Sequence, residues 1–470
     1  MNRRKILGYA LGPIGSGILG LISLPIITWF YSVEDVGRIS MLQVFTSLTM
    51  IFFCLGMDQA YVREYHETEN KAALLKTVLF PGFFLSIIFF VIILIYEPTL
   101  ISMWLYEKPS EYLSILTVVC FIIALISKFL SLILRMQERS IAFSMSQILP
   151  KIIFLIIIIN SVWLNLSRDT YNLITANFVA TLVAFLVFSW NTRSDWILAI
   201  NQKLDKNQLK KSMKFGWPLV FSGIAYWGLN TMDKVFLRNY STYEELGIYA
   251  VTMSVAAIVT IFSGIFNTIW SPMVYKWISE DNFDYCKLDK MLEYVTATIY
   301  FFIVLVGLFS WIIPYFLPEN FHEIQYLIAV CLLGPLLYTL SEITGIGITI
   351  TRKTKFSILC TVLAMFVSVI LNYIFVPRLG AAGAAISTAI SFFVFFYLRT
   401  EVSKKIWRGK EYSKNFIIIS VLLVTGVLNL VLKEYRAELY ILWIILFLVG
   451  LFLFRGVLKE LIILIKTRVC

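Results

Sequence analysis

The sequence predicts an all-α polytopic membrane protein with about 14 transmembrane helices. Three observations predict it. First, about fourteen stretches each hold the roughly 20 mostly apolar residues that span a bilayer. Second, 59% of the 470 residues are hydrophobic and only 15% charged, against about 25% charged in a soluble chain, and mean hydropathy is +0.82. Third, the basic residues gather in every second gap between the apolar stretches.

The spans read in order as follows. Gly8–Phe30 is the first. Gly12, Gly15, Gly17 and Gly20 crowd it, and Pro13 and Pro25 lie within it. Small residues let helices approach closely, and prolines interrupt the backbone ladder where a helix must flex. Asn2-Arg3-Arg4-Lys5 ahead of this span resembles a twin-arginine or secretory signal. The apolar run is too long for one and no small-x-small cleavage site follows, so a retained helix is expected. Ile39–Gly56, Leu74–Tyr96, Tyr112–Leu134, Phe143–Leu164 and Tyr171–Trp190 complete a first block of six.

The basic segment Asn191–Gly216 comes next. It places Trp196, Ile197, Ile200 and Leu204 on one side of a helix and Lys203, Lys206, Lys210 and Lys211 on the other. Such a helix can lie on anionic inner-leaflet lipids. It is also compatible with a charged linker that obeys the positive-inside rule. Trp217–Tyr240, Gly247–Trp270, Tyr294–Tyr315, Gln325–Ile350, Phe356–Val376 and Ala382–Leu398 form a second block of six. A second basic loop, Thr400–Asn415, precedes the last two spans, Phe416–Leu432 and Tyr440–Phe454. The expected organisation is an N-terminal lobe at 1–190, a linker at 191–216, a C-terminal lobe at 217–400, and a basic loop with two accessory helices at 401–470.

The two blocks carry a short internal repeat. Tyr31-Ser32-Val33-Glu34-Asp35-Val36-Gly37 follows the first span, and Tyr240-Ser241-Thr242-Tyr243-Glu244-Glu245-Leu246-Gly247 follows the seventh. Each has Tyr-Ser, two acids, an aliphatic residue and a glycine, with the acids near the start of the next helix, where its dipole favours them. Both copies follow a helix running in the same direction, so the halves are parallel rather than inverted. Parallel halves related by an axis along the membrane normal are a transporter plan.

Orientation follows from Lys and Arg. Thirty on one side, seven on the other and three within spans account for all 40. The side with thirty is expected to be cytoplasmic and to hold both termini. This also explains the net charge of +11 without nucleic acid.

Catalytic signatures are missing. The chain has no Gly-x-x-x-x-Gly-Lys phosphate loop, no His-Glu-x-x-His pair, and no acid pair in the context of a glycosyltransferase site. ATP hydrolysis by the chain alone is therefore not expected. The only histidines, His66 and His322, sit in or beside loops and suggest neither metal nor proton relay. No cofactor is implied. Cys54, Cys120, Cys331 and Cys360 lie in apolar spans, where they pack as small hydrophobes. Cys286 falls in a cytoplasmic loop, where disulfides are rare, and Cys470 lacks the three following residues that prenylation needs. The longest loop on the extracytoplasmic side, Glu97–Glu111, is too short for a polymerase or ligase that works outside.

Charge within the spans is the remaining signal. Such residues cost at least a few kcal/mol on insertion scales and are functional candidates. Lys128 and Lys151 lie on consecutive helices about 10–12 Å deep at 1.5 Å per residue. They read as a shared basic surface facing a cavity, against simple snorkelling to the interface. Span seven holds Asn230, Asp233, Lys234 and Arg238. Lys234 and Arg238 share a face, and Asp233 points about 100° away from Lys234. Glu342, between Ser341 and Thr344, has two readings: balance for the lysines, or carriage of a coupling ion.

Three segments carry a family resemblance. They are Leu55-Gly56-Met57-Asp58-Gln59-Ala60-Tyr61-Val62-Arg63-Glu64-Tyr65, then Asp233-Lys234-Val235-Phe236-Leu237 with the turn leading to Ile248-Tyr249, and Leu379-Gly380-Ala381-Ala382-Gly383-Ala384-Ala385-Ile386-Ser387-Thr388. Their order and topology resemble bacterial polysaccharide (O-antigen, Wzx-type) flippases of the multidrug/oligosaccharidyl-lipid/polysaccharide exporter superfamily. The resemblance implies two six-helix lobes around a central cavity plus two accessory helices. It implies alternating access and an undecaprenyl-pyrophosphate-linked oligosaccharide as substrate. Lys128, Lys151 and Lys234 are then candidates for a basic substrate cavity, since cationic side chains offset the cost of moving a pyrophosphate out of water. Arg63 and Asp58 are candidates for headgroup capture at the inner mouth, unless they pair with each other or with Glu64. Asp233 and Glu342 are candidates for charge balance or for coupling to a proton or sodium gradient. A polysaccharide polymerase and a chain-length regulator are the implied protein partners.

Other readings stay open at this point. A lipid II flippase would share the basic cavity. A multidrug exporter would want acids for cationic drugs, and the deep lysines argue the other way. A membrane-embedded glycan polymerase or acyltransferase would need catalytic residues or long outer loops. A structural scaffold would have no need of buried lysines.

Overall fold

The computed structural model describes residues 3–279 and 285–460. The expectations for Asn2, Lys466, Arg468 and Cys470 fall outside the described residues. The chain divides into two compact units, Met1–Trp227 and Gly228–Cys470.

The first unit runs α1 (Arg3–Phe30), α2 (Val33–Cys54), α3 (Met57–Glu64), α4 (Lys71–Tyr96), α5 (Leu100–Tyr106), α6 (Glu111–Met136), α7 (Ser140–Trp163), α8 (Thr170–Asn191) and α9 (Arg193–Ile200), and takes in the start of α10 (Lys206–Tyr240). Polar caps start the long helices. Ser32, Asn70, Ser110 and Asp169 each accept the backbone N–H three residues on, satisfying one of the donors that a helix start leaves free. Gly8, Gly12, Gly15 and Gly20 of α1 lie on its contact face with α7. A Cβ at Gly8 would lie 2.3 Å from Ser140 Oγ, and one at Gly15 would lie 2.7 Å from Ile148 Cδ1. The crowded first helix is thus a close-approach surface.

The second unit takes in the rest of α10, then α11 (Tyr243–Ser279), α12 (Tyr285–Phe309), α13 (Ile324–Cys331), α14 (Leu333–Thr344), α15 (Ile346–Ile350), α16 (Thr354–Ile406), α17 (Ser413–Val431) and α18 (Arg436–Leu453). The tenth expected span is broken into α13, α14 and α15, with Gly345 at the second break. The eleventh and twelfth run on as α16, bent at Gly380, whose φ is +53°.

Eleven helices among the described residues are long and apolar enough to cross a membrane. Three expected spans are not counted separately. The seventh lies in α10 with its own charged residues, the twelfth is merged into α16, and the fourteenth, α18, is a shorter apolar helix. The expected amphipathic helix differs more. Helix α9 stops at Ile200, before the lysines, and Lys206 already begins α10, which continues without interruption into the seventh span. Lys76 Nζ donates to the carbonyls of Ile200 and Gln202, at 2.6 and 2.7 Å, and so ends α9.

The internal repeat has a structural counterpart. In the first unit Asp35 takes the hydroxyl of Thr170, the first residue of α8. In the second unit the equivalent acid, Glu245, takes the backbone N–H of Ala381 at 2.7 Å, where α16 resumes after its bend. In each unit the second acid of the Tyr-Ser turn therefore holds the start of that unit's sixth expected span.

Candidate functional site

The first resemblance segment makes a break in the second span. Leu55 and Gly56 both take positive φ, 51° and 70°, so α2 stops and α3 begins in a new direction. Glycine is required at position 56 for two reasons. The left-handed conformation disfavours a side chain, and a Cβ there would sit 2.3 Å from the Gly216 carbonyl oxygen. The start of α10 thus packs backbone to backbone against the break. Further along, buried Glu64 accepts hydrogen bonds from Gln208 and, at 2.9 Å, from Ser212, with Lys211 at 3.8 Å. The Arg63 guanidinium stacks over Phe215 at 4.6 Å. Arg63 and Glu64 therefore join the segment to α10.

Beside this junction, α2, the break, α3, α6 and α10 line a cavity of about 220 Å³. Lys128 from α6, Asp58 and Gln59 from α3, and Leu219, Val220 and Gly223 of α10 line it. Asp58 accepts the Gln59 side-chain amide at 3.1 Å. Lys128 stands eight residues before the end of α6, about 12 Å from that end. The cavity therefore offers a cation, a carboxylate and an amide among apolar walls, so Lys128 can meet an anionic group there only beside the Asp58 carboxylate.

Lys151 is placed elsewhere. Its Nζ donates to the Ser16 carbonyl of α1 at 2.8 Å, and the side chain is exposed. Lys128 thus lines the cavity, whereas Lys151 lies outside its lining and bonds to α1. A lysine bonded to a helix carbonyl can stabilise the α1–α7 contact as well as meet a ligand.

In the second unit the other two resemblance segments meet. Asp233 is buried at 2% exposure. It accepts the Tyr249 hydroxyl, the Thr388 hydroxyl at 3.1 Å and the Lys234 N–H at 2.7 Å. Sequence reasoning named Asp233 but missed Tyr249 and Thr388 as its partners. The signal was there, since each stands at the end of a segment already singled out.

Glu342 is paired with Arg399 at 2.5 Å. The same guanidinium donates to Ser341 at 3.1 Å and lies 5.3 Å from the Phe395 ring. Arg399 lies one residue beyond the expected twelfth span, Ala382–Leu398. The helix runs past it, and it is buried at 4% exposure. The balance for Glu342 is thus an arginine on the next long helix.

This fold, with its charges inside apolar helices, is that of a polytopic all-α membrane protein. A solved lipid II flippase, MurJ in an inward closed conformation, superposes with a TM-score of 0.69 over 97% of this chain and 99% of that one, at 18% identity. The chain belongs to the polysaccharide biosynthesis protein family, whose model matches residues 3–280. It is 26% identical over 240 residues to the capsular polysaccharide biosynthesis protein CapF of Staphylococcus aureus, covering 46% of this chain and 59% of that one. It is also 26% identical over 223 residues to a probable low-salt glycan biosynthesis flippase, Agl15, of Haloferax volcanii, covering 44% of this chain and 45% of that one.

Proposed function

We propose that the chain moves an undecaprenyl-pyrophosphate-linked oligosaccharide repeat unit, of O-antigen or capsule, across the bacterial inner membrane by alternating access. The carrying observation is Lys128 lining a cavity inside the helices of the first unit, together with Asp58 and Gln59. A lysine near the centre of a membrane helix costs about 2.5–3.5 kcal/mol on insertion scales, so its placement beside a cavity needs a return. A pyrophosphate supplies one, because its charge is otherwise expensive to bring through hydrocarbon. Family membership and the names of the two relatives support a glycan precursor as the cargo.

On this reading Lys128 receives the headgroup, with Lys151 and Lys234 as further cations and Asp58 and Arg63 at the inner mouth. Asp233, with its two hydroxyl partners, is a site where a proton or sodium ion could exchange and drive transport. Both termini face the cytoplasm, by the basic bias of the loops. The implied partners are anionic inner-leaflet lipids and the polymerase and chain-length regulator that act on the exported unit.

The test is complementation of a strain lacking its polysaccharide flippase, scored by surface glycan at matched protein level. Lys→Gln at 128, 151 and 234 together should abolish glycan, and Lys→Arg should be milder. Normal glycan from the triple Lys→Gln variant would refute the basic-cavity mechanism. A lipid II carrier would instead rescue a strain lacking lipid II export. A carrier of cationic drugs would lose function with Asp233→Asn and gain it with the lysine changes.

A further inference from the structure

A second, separate groove of about 430 Å³ lies at the Lys71 end of α4 and the Asn191 end of α8. Its floor is α6, through buried Phe129 and Leu130. Its walls are α4 and α8, each of which packs on α6. Phe80 and Phe83 stand on one wall and Phe185 on the other. The groove opens sideways, where Phe80 is 40% exposed. Helix α9 closes one end, through Trp196, Ala199 and Ile200.

That closing helix is tied down from three elements. The Trp196 indole donates to the Ser189 carbonyl of α8 at 2.8 Å. The Gln137 amide, just past α6, donates to Asp195 at 2.9 Å, and Lys76 of α4 holds the Ile200 and Gln202 carbonyls. Ile197, Leu198 and Ile200 stay exposed. A short helix with exposed apolar residues and a basic run after it lies in the membrane interface. The groove therefore starts at headgroup level. From Lys76 to Phe83 it reaches about 10 Å at 1.5 Å per residue, less than half of a roughly 30 Å hydrocarbon core, so it serves one leaflet only. Charge at its mouth is mainly of one sign. Segment 191–216 carries six Lys and Arg against two Asp, and both acids are engaged. Asp195 takes Gln137, and Asp205 takes the backbone N–H groups of Asn207 and Gln208 at 2.9 and 3.0 Å. Lys203 and Lys206 are exposed. Lys76 lines the groove itself and uses two of an ammonium's three donors on α9.

We propose that this groove is a resident-lipid site: it seats one acyl chain of an anionic phospholipid, whose phosphate meets Lys76, Lys203 and Lys206 at the mouth. This rests on the reading that anionic lipids are partners of the chain and is independent of what the chain carries. The acyl chain fills the gap between α4 and α8 that no side chain closes. The headgroup holds the segment after α9 and, through the Asp205 cap, the start of α10. A neutral phospholipid has the same tail but no net charge to offer these cations.

The experiment uses the full chain in phosphatidylcholine nanodiscs doped with phosphatidylglycerol that carries a diazirine in one acyl chain. A parallel set carries the same diazirine on phosphatidylcholine. After irradiation, adducts are mapped by peptide mass spectrometry. The phosphatidylglycerol probe should label the peptides holding Phe80, Phe83 and Phe185 about fivefold more than the phosphatidylcholine probe, as ~1 kcal/mol from a surface cation gives. Unlabelled phosphatidylglycerol should compete. The double surface variant Lys203→Gln/Lys206→Gln should bring the two probes close to parity, and Leu79→Trp, which fills the groove, should remove the labelling of Phe185. Equal labelling by both probes in the unaltered chain means annular lipid only and overturns the proposal. So does a phosphatidylglycerol preference that maps outside the groove, or one that survives the double lysine variant unchanged. None of these outcomes touches the flippase reading, which stands or falls on surface glycan in the complementation assay.

Discussion

Arg399 and Glu342 show what a single charge does inside the second unit. The side chains are 5% and 19% exposed, so each charge depends on the other and on Ser341. Removing one partner of a buried pair costs about 3–5 kcal/mol, because the remaining charge is uncompensated. Arg399→Gln or Glu342→Gln should therefore lower the thermal unfolding midpoint in detergent. The double Arg399→Gln/Glu342→Gln variant should recover most of the loss. Double-variant stability no better than the worse single would show that the two residues act separately. The sequence showed Glu342 as a charge within a span, but Arg399 looked like one more loop cation, because a helix end cannot be placed within a turn or so from apolar pattern alone. Lys128, by contrast, was legible as a deep cation. Its surroundings were not, since they depend on the left-handed turn at Leu55 and Gly56.

At the scale of elements, two junctions decide the architecture within each unit. One is the break before α3, where Gly56 and Gly216 touch. Gly56→Ala should destabilise by more than about 1 kcal/mol, since Ala there would need both a positive φ and a displaced carbonyl. Loss of folded protein in a fluorescence size-exclusion assay checks it, and an unchanged profile and melting point would contradict the contact. The other junction is the repeated clasp. Asp35→Ala and Glu245→Ala each remove hydrogen bonds to a charged group, worth about 1.5–3 kcal/mol. Because the two acids share no partner, the losses should add in the double variant. Thermal melts of the three variants test this, and a neutral Glu245→Ala would break the equivalence of the two copies. The repeat itself was readable as a motif. Its purpose was not, since Thr170 and Ala381 lie more than a hundred positions from the acids they meet.

For the whole molecule the prediction is topological. Reporter fusions after Lys5, Asn207 and Lys466 should report cytoplasm, and a fusion within Tyr106–Ser110 should report periplasm. Asn207 is the sharpest of these, because it sits one residue into α10, between the two expected blocks of six. A periplasmic signal there would overturn the parallel-halves reading.

By itself the sequence determined the class of molecule, the order of its apolar helices and the repeated Tyr-Ser turn. Those properties are written locally, in runs of about 20 apolar residues and in the loops between them. Only the tertiary structure decided which charges meet. Lys128 went to a cavity with Asp58, Lys151 to the Ser16 carbonyl, Glu342 to Arg399, and Asp233 to Tyr249 and Thr388. The physical reason is that lipid is as apolar as leucine. A helix bathed in it can be greasy all round, so its pattern does not mark which face packs inward. Rotation and partner are set instead by close packing of small residues and by polar groups finding one another.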